Sequence, residues 1–307
     1  MSLKYAVIGT GAIGGYYGGK LANAGQEVHF LFHSDYEYVK QHGLRVDSID
    51  GDFHLSSIHA YNNTMDMPKC DVILVGLKST NNHLLKELLP PILDKNTLVI
   101  LIQNGLGLEE DLQKEFPDLW IAGGLAFICS NKVSDGHIAH LDYGKLNIGS
   151  YSCLDNSLLN AVVSDFQQAG IEANAVELKD ARWMKLVWNI PYNGMTVVLN
   201  TTTNKLMDNP ATKQLIHEMM LEVIRAANYS GLKQNIEESY ADQMLEMTRH
   251  MTPYSPSMKL DYDARRPLEI EYIYSRPIIE AKKSGYDMVR ISILEKQLKD
   301  IQTEYQI

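Results

Sequence analysis

The sequence predicts an α/β domain followed by an all-helical one. Three observations carry this reading. A glycine-punctuated strand–helix–strand unit opens the chain. Apolar strand-like runs then alternate with helical segments to about residue 177. Beyond Lys179 strand patterns fade and apolar residues recur at helical spacing. A chain of 307 residues suits two such domains, expected at residues 1–177 and 178–307.

Tyr5-Ala6-Val7-Ile8 is a short buried-strand run. It leads into Gly9-Thr10-Gly11-Ala12-Ile13-Gly14 and then into small and apolar residues from Gly15 to Ala24, closed by Gly25. Glu27 to Phe32 supplies the second strand. In that context the glycines have separate tasks. Gly9 permits the tight turn, Gly11 lets backbone approach a pyrophosphate, and Gly14 lets the helix pack on the strand. The helix N-terminus adds N–H groups and a positive dipole end for phosphate oxygens. The expected fold is therefore a Rossmann-like, NAD(P)-binding domain, with Gly9, Thr10, Gly11, Ala12, Ile13 and Gly14 as cofactor residues.

Cys70 to Gly76 and Thr97 to Ile102 read as continuous apolar strands, with a helix expected at Leu84–Leu93 between them. Ligands in such sheets lie beyond the strands' carboxyl ends, where Lys78 and Asn104 sit. The tip of the second strand, Phe32-His33-Ser34-Asp35, normally selects the cofactor. An acidic residue there binds a ribose 2′-hydroxyl and a basic one a 2′-phosphate. Here there is no carboxylate at the strand end and no arginine. His33 and Ser34 can donate to a phosphate while Asp35 can oppose it, which leans to NADPH and leaves NADH open. From Trp120 the pattern predicts short strands at Ala122–Cys129, His137–Leu141 and Lys145–Ile148, a helix at Leu158–Ala169 and a last strand at Glu172–Glu177.

In the second half, Lys185, Asn189 and Asn193 are spaced by four along a predicted helix, Ala181–Asn200, and so share one face. Their neighbours are apolar: Trp183, Leu186, Val187, Trp188 and Ile190. A cation and two amides in such a segment demand either a structural partner or a polar ligand. Pro191 within the stripe predicts a kink or break. Asn209-Pro210 starts another helix that Gly231 ends, with methionines filling core. Thr252 to Ser257 reads as a proline-broken loop, Leu268–Lys283 as a helix and Val289–Tyr305 as a terminal amphipathic helix. A substrate cleft is expected between the two domains.

Composition narrows the function. A formal net charge of −10 without a Lys/Arg cluster argues against nucleic acid and anionic membranes. No apolar run approaches the length of about 20 residues that a membrane helix needs. Three scattered cysteines and an N-terminus without a secretory pattern suit the cytoplasm, and no metal spacing is present.

With these pieces in place the chain resembles the ketopantoate reductase (2-dehydropantoate 2-reductase) family, collinearly over nearly its whole length. The matching pieces are Gly9 to Gly14, Leu77-Lys78, Gln103-Asn104-Gly105, Trp183-Met184-Lys185-Leu186, Asn189, Asn193, Ser257-Met258 and Leu268-Glu269-Ile270-Glu271. The resemblance implies NADPH-dependent reduction of ketopantoate to pantoate, as in pantothenate biosynthesis, with a small 2-oxo acid as partner and a possible homodimer. It implies Lys185 as general acid and Glu269 as its catalytic partner. Asn189, Asn193 and Ser257 would hold substrate, Asn104 would lie near both nicotinamide and substrate, and Lys78 and His33 near the cofactor. His33 stands where many relatives place an arginine, and Gly285-Tyr286-Asp287-Met288 replaces a Thr-Pro-like turn. The alternatives are reduction of another 2-oxo or imino acid on the same fold, and a non-enzymatic dinucleotide sensor.

Overall fold

A computed structural model describes residues 2–251 and 255–305. The chain divides into two compact units, residues 1–103 with 108–178, and residues 104–107 with 179–307.

The first unit is built on a ten-stranded sheet. Its elements are β1 (Lys4–Ile8), α1 (Ala12–Asn23), β2 (Glu27–Leu31), α2 (Tyr36–His42), β3 (Leu44–Ser48), β4 (Phe53–Leu55), β5 (His59–Tyr61), β6 (Val72–Val75), α3 (Leu85–Leu88), β7 (Leu98–Leu101), α4 (Leu108–Glu115), β8 (Trp120–Ser134), β9 (His137–Ser150), α5 (Asn156–Gln168) and β10 (Ala173–Ala175). The strand order is β4-β3-β9-β8-β7-β6-β1-β2-β5, with β10 beside β9. Strands β8, β7, β6, β1, β2 and β5 run parallel. Val72-Ile73-Leu74-Val75 and Leu98-Val99-Ile100-Leu101 are fully buried, as strands covered on both faces must be.

Helix α1 explains the glycine-rich run after the phosphate motif. A Cβ on Gly18 would lie 2.6 Å from Val7 of β1, and one on Gly15 would lie 3.0 Å from Ile138 of β9. Each glycine costs a helix about 1 kcal/mol relative to alanine. Here that cost secures close approach to strands on two sides, and Tyr16, Tyr17 and Leu21 are fully buried around it.

Two expectations for this unit change. The helix expected at Leu84–Leu93 is broken into a 3₁₀ turn at Ser79–Leu84, the single turn α3 and a second 3₁₀ turn at Pro90–Ile92. Pro90 and Pro91 deny the backbone donors a longer helix needs. The short strands expected after Trp120 are two long ones, β8 and β9, joined as an antiparallel hairpin. Register shifts at Phe127/Ile128, Cys129/Ser130 and Lys132/Ser134 interrupt the two-residue alternation, which is why the sequence reads as separate pieces. Helix α2 and strands β3 to β5 are too short to show a clear period in the sequence.

The second unit is helical: α6 (Leu178–Val198), α7 (Thr203–Asp208), α8 (Pro210–Tyr229), α9 (Ser239–His250), α10 (Ser257–Asp263), a π-helical turn (Glu271–Ser275) leading into α11 (Arg276–Lys283), and α12 (Val289–Tyr305). Asn209 caps α8 through Oδ1 to the Ala211 N–H, with Pro210 in its first turn. Helix α6 runs through Pro191 without a break. Pro191 cannot donate to the carbonyl one turn back. Tertiary packing overrides that loss: Ile190, Pro191, Tyr192 and Asn193 are all buried, and the Tyr274 hydroxyl donates to the Ile190 carbonyl at 2.8 Å. The stripe Lys185-Asn189-Asn193 thus stays on one helix. The helix expected at Leu268–Lys283 is instead irregular at Leu268 and Glu269, then π-helical, then α-helical. Of the loop expected at residues 252–257, positions 252–254 lie outside the described residues. Among the described residues no helix is long and apolar enough to cross a membrane.

Candidate active site

The glycine motif of the first unit forms a usable phosphate cradle. Gly9 has φ +86°, a conformation costly for any residue with a Cβ, and a Cβ there would sit 2.5 Å from the Leu77 nitrogen. Gly14 passes so close to the Gly9 carbonyl that a Cβ would lie 2.4 Å from it. Gly11 differs: a Cβ there would meet nothing within 4 Å. The second glycine of the motif therefore borders open space at the head of α1, where Gly11 provides no side-chain cap for the first-turn N–H groups. These features fit a dinucleotide pyrophosphate. Thr10 Oγ1 donates to the Leu31 carbonyl at 2.8 Å and ties the cradle to the end of β2.

Lys78 follows β6 in extended conformation, immediately before the 3₁₀ turn. Gln103, at the end of β7, braces this region. Its Nε2 donates to the Leu77 carbonyl at 2.8 Å and to Asn82 Oδ1 at 2.7 Å. At the β2 tip His33 and Ser34 are exposed, but Asp35 is turned inward and buried. Asp35 is thus not presented as the sequence suggested.

In the second unit, Lys185 is half-buried, while Asn189, Asn193 and Glu269 are buried. The protein packed around the Lys185 ammonium strips it of water and Arg182 adds a like charge one turn back. Together they bring its pKa down from the usual lysine range to about 7, with Glu269 pulling in the opposite direction. Arg182, itself 2% exposed, has a role that sequence reading missed. Its position three residues before Lys185, on the same helical face, is the signal that could have revealed it.

Asn193 Oδ1 accepts a hydrogen bond from the Met258 N–H at 3.2 Å. It thereby holds the first turn of α10, which begins at Ser257. Glu269 is positioned from both sides. The Leu268 N–H donates to Gln302 Oε1 of α12 at 2.7 Å, and the π-helical turn starts two residues after Glu269. The segment Asn104–Gly107 belongs to this same unit. The Leu106 N–H donates to the Tyr272 carbonyl at 2.8 Å, and Gly105, at φ +116°, comes so close that a Cβ would lie 2.5 Å from that carbonyl oxygen. Asn104 is therefore anchored to the turn that follows Glu269. Lys185, Asn189, Asn193, Ser257, Glu269 and Asn104 all belong to this unit: Asn193 bonds to the residue after Ser257, Asn104 adjoins the segment bonded to the turn beyond Glu269, and Asn189 lies one turn along α6 from Lys185.

A glycine motif fitted to a dinucleotide pyrophosphate in the first unit, and a lysine of lowered pKa with a carboxylate and amides in the second, are the equipment of a nicotinamide-dependent oxidoreductase. Two family models cover most of the chain: Ketopantoate reductase PanE/ApbA over residues 5–152, and Ketopantoate reductase PanE/ApbA C terminal over residues 177–302. The chain belongs to the ketopantoate reductase family. It is 49% identical to a 2-dehydropantoate 2-reductase of Nostoc sp. over 302 residues, 96% of this chain and 94% of that one. The crystal structure of a 2-dehydropantoate 2-reductase from Geobacter metallireducens matches with TM-score 0.94 and 39% identity, covering 97% of this chain and 99% of that one. A 2-dehydropantoate 2-reductase from Methylococcus capsulatus matches with TM-score 0.90 and 28% identity over 99% and 98% of the two chains.

Proposed function

We propose that this chain reduces ketopantoate to pantoate with Lys185 as the proton donor. The observation that supports this role is the Lys185 ammonium, brought to a pKa of about 7 inside the helical unit and opposed by Glu269. NADPH, when bound, supplies the hydride. Hydride arrival leaves negative charge on the carbonyl oxygen, and an ammonium beside that oxygen both stabilises the charge and gives up a proton. A pKa near 7 suits the task, because the group is charged often enough to act and acidic enough to transfer. Asn189 and Ser257 bind the substrate's polar groups. Asn193 contributes its amide nitrogen while its oxygen secures α10. Glu269 keeps the ammonium from losing its proton too early. Asn104 lies near substrate and nicotinamide, and Gly9 to Gly14, His33 and Lys78 hold the cofactor. Residues 1–177 serve as the cofactor domain and 178–307 as the substrate domain, in a cytoplasmic enzyme of the route to pantothenate.

NADPH oxidation with a panel of 2-oxo acids tests the reading. Ketopantoate is expected to give the highest kcat/KM, and equal or better turnover of another 2-oxo acid would reject it.

The Lys185 pKa also predicts a pH profile. The reactive form is the ammonium, which is present below its pKa and lost above it. Reduction should therefore decline as pH rises through about 7. Glu269→Gln removes an influence that raises this pKa, so the falling limb of kcat should move to lower pH. An unmoved limb in that variant would show that Glu269 does not act on Lys185.

A further inference from the structure

We propose that the ion pair between Lys132 and Asp35 is what allows this β2 end to accept a 2′-phosphate, a role that rests on the reading of the first unit as an NADPH-binding domain. The sequence at this tip poses a problem: it has no arginine, and Asp35 stands two residues beyond His33, where a carboxylate would favour a ribose hydroxyl over a phosphate. The structure answers it. Asp35 is 3% exposed, and its Oδ2 accepts from Lys132 Nζ at 2.6 Å and from the Gly136 N–H at 3.2 Å.

Both partners come from the far end of the β8–β9 hairpin, about a hundred residues along the chain. The register shift between Lys132 and Ser134 breaks the strand's alternation at this point. The Lys132 side chain retains 28% of its exposure, so its charge lies at the surface of the pair while the carboxylate lies beneath. Thr10 fastens the pyrophosphate cradle to Leu31, the last residue of β2, so the cradle and the tip are held as one piece. His33 and Ser34, both exposed, are the donors that face solvent there. A phosphate monoester carries between about −1.5 and −2 charges near neutral pH, so an uncancelled Asp35 would repel it. Lys132 removes that repulsion without an arginine. NADH, which has a hydroxyl in place of the phosphate, does not meet that repulsion. Lys132 is thus a specificity-determining residue that acts through Asp35.

Dissociation constants for NADPH and NADH, measured without substrate by fluorescence titration, test this. Lys132→Met is expected to weaken NADPH about tenfold or more and NADH by less than about threefold, as an unscreened like charge at short range requires. The double variant Lys132→Met with Asp35→Asn should return NADPH binding to within about threefold of wild type, since no carboxylate remains to be cancelled. A Lys132→Met ratio equal to wild type overturns the proposal. So does a double variant as weak as Lys132→Met, which would mean that the lysine grips the phosphate directly. If Lys132→Met does not fold, Asp35→Asn alone decides. Freed of its counterion, Lys132 should leave NADPH binding unchanged or tighter, and weaker binding overturns the proposal. Failure of the wild-type protein to bind either dinucleotide would strike the reading of the fold instead.

Discussion

Lys185→Ala is expected to lower kcat by about a thousandfold, in the range that loss of a positioned proton donor and of oxyanion stabilisation produces. NADPH affinity should stay within about threefold of wild type, because the proposed phosphate cradle, Gly9 to Gly14 with the β2 tip, lies in the other compact unit. The division between kcat and cofactor affinity makes the test specific. A variant that loses both has lost its fold. A variant that keeps wild-type kcat shows that another group delivers the proton. Lys185→Arg adds a second control. A guanidinium keeps the charge but stays protonated throughout the working range, so it can stabilise the oxyanion but transfers its proton poorly. It should recover substrate binding better than turnover, and the fall in rate through about pH 7 should disappear.

Two glycines of the same motif should fail in opposite ways. Gly9→Ala places a side chain at φ +86° and 2.5 Å from the Leu77 backbone nitrogen, where nothing flexible can yield. Strain and overpacking together should destabilise the first unit by roughly 3 kcal/mol. That should lower its melting temperature by about 10 °C. Gly11→Val meets no neighbour within 4 Å of its Cβ, so its melting temperature should change little. Its side chain instead fills the space at the head of α1, and NADPH affinity should drop at least tenfold, as expected where backbone must approach a pyrophosphate. Differential scanning calorimetry and cofactor titration of both variants would separate the effects. A stable Gly9→Ala, or a Gly11→Val that binds normally, would refute the corresponding assignment.

Much of the candidate site can be proposed from the sequence because it depends on short-range pattern. Gly9, Gly11 and Gly14 are defined by spacing within six residues, and their tasks follow from backbone geometry alone. The interval of four between Lys185, Asn189 and Asn193 places them on one helical face whatever surrounds the helix. Asn209-Pro210 announces the start of α8 by capping chemistry. Less is legible where strands are irregular. The bulges in β8 and β9 disguise two long strands as several short ones, and Pro90 and Pro91 cut short a helix that the apolar spacing predicts.

The alternating α/β half, the helical half, the phosphate motif and the polar stripe can be read from residue order, because each is a local periodicity or a local steric rule. Four further matters depend on the folded chain. It carried α6 on through Pro191, since the buried surroundings and the Tyr274 hydroxyl support that stretch. It set the Lys185 pKa near 7, since desolvation is a property of everything packed around a charge. It anchored Asn104 to the turn beyond Glu269, through Leu106 and Tyr272. And it turned Asp35 inward against Lys132 and Gly136, from a hairpin about a hundred residues away. Pattern within a turn or a strand reports backbone conformation; burial and charge pairing depend on groups that the chain brings together only when it folds.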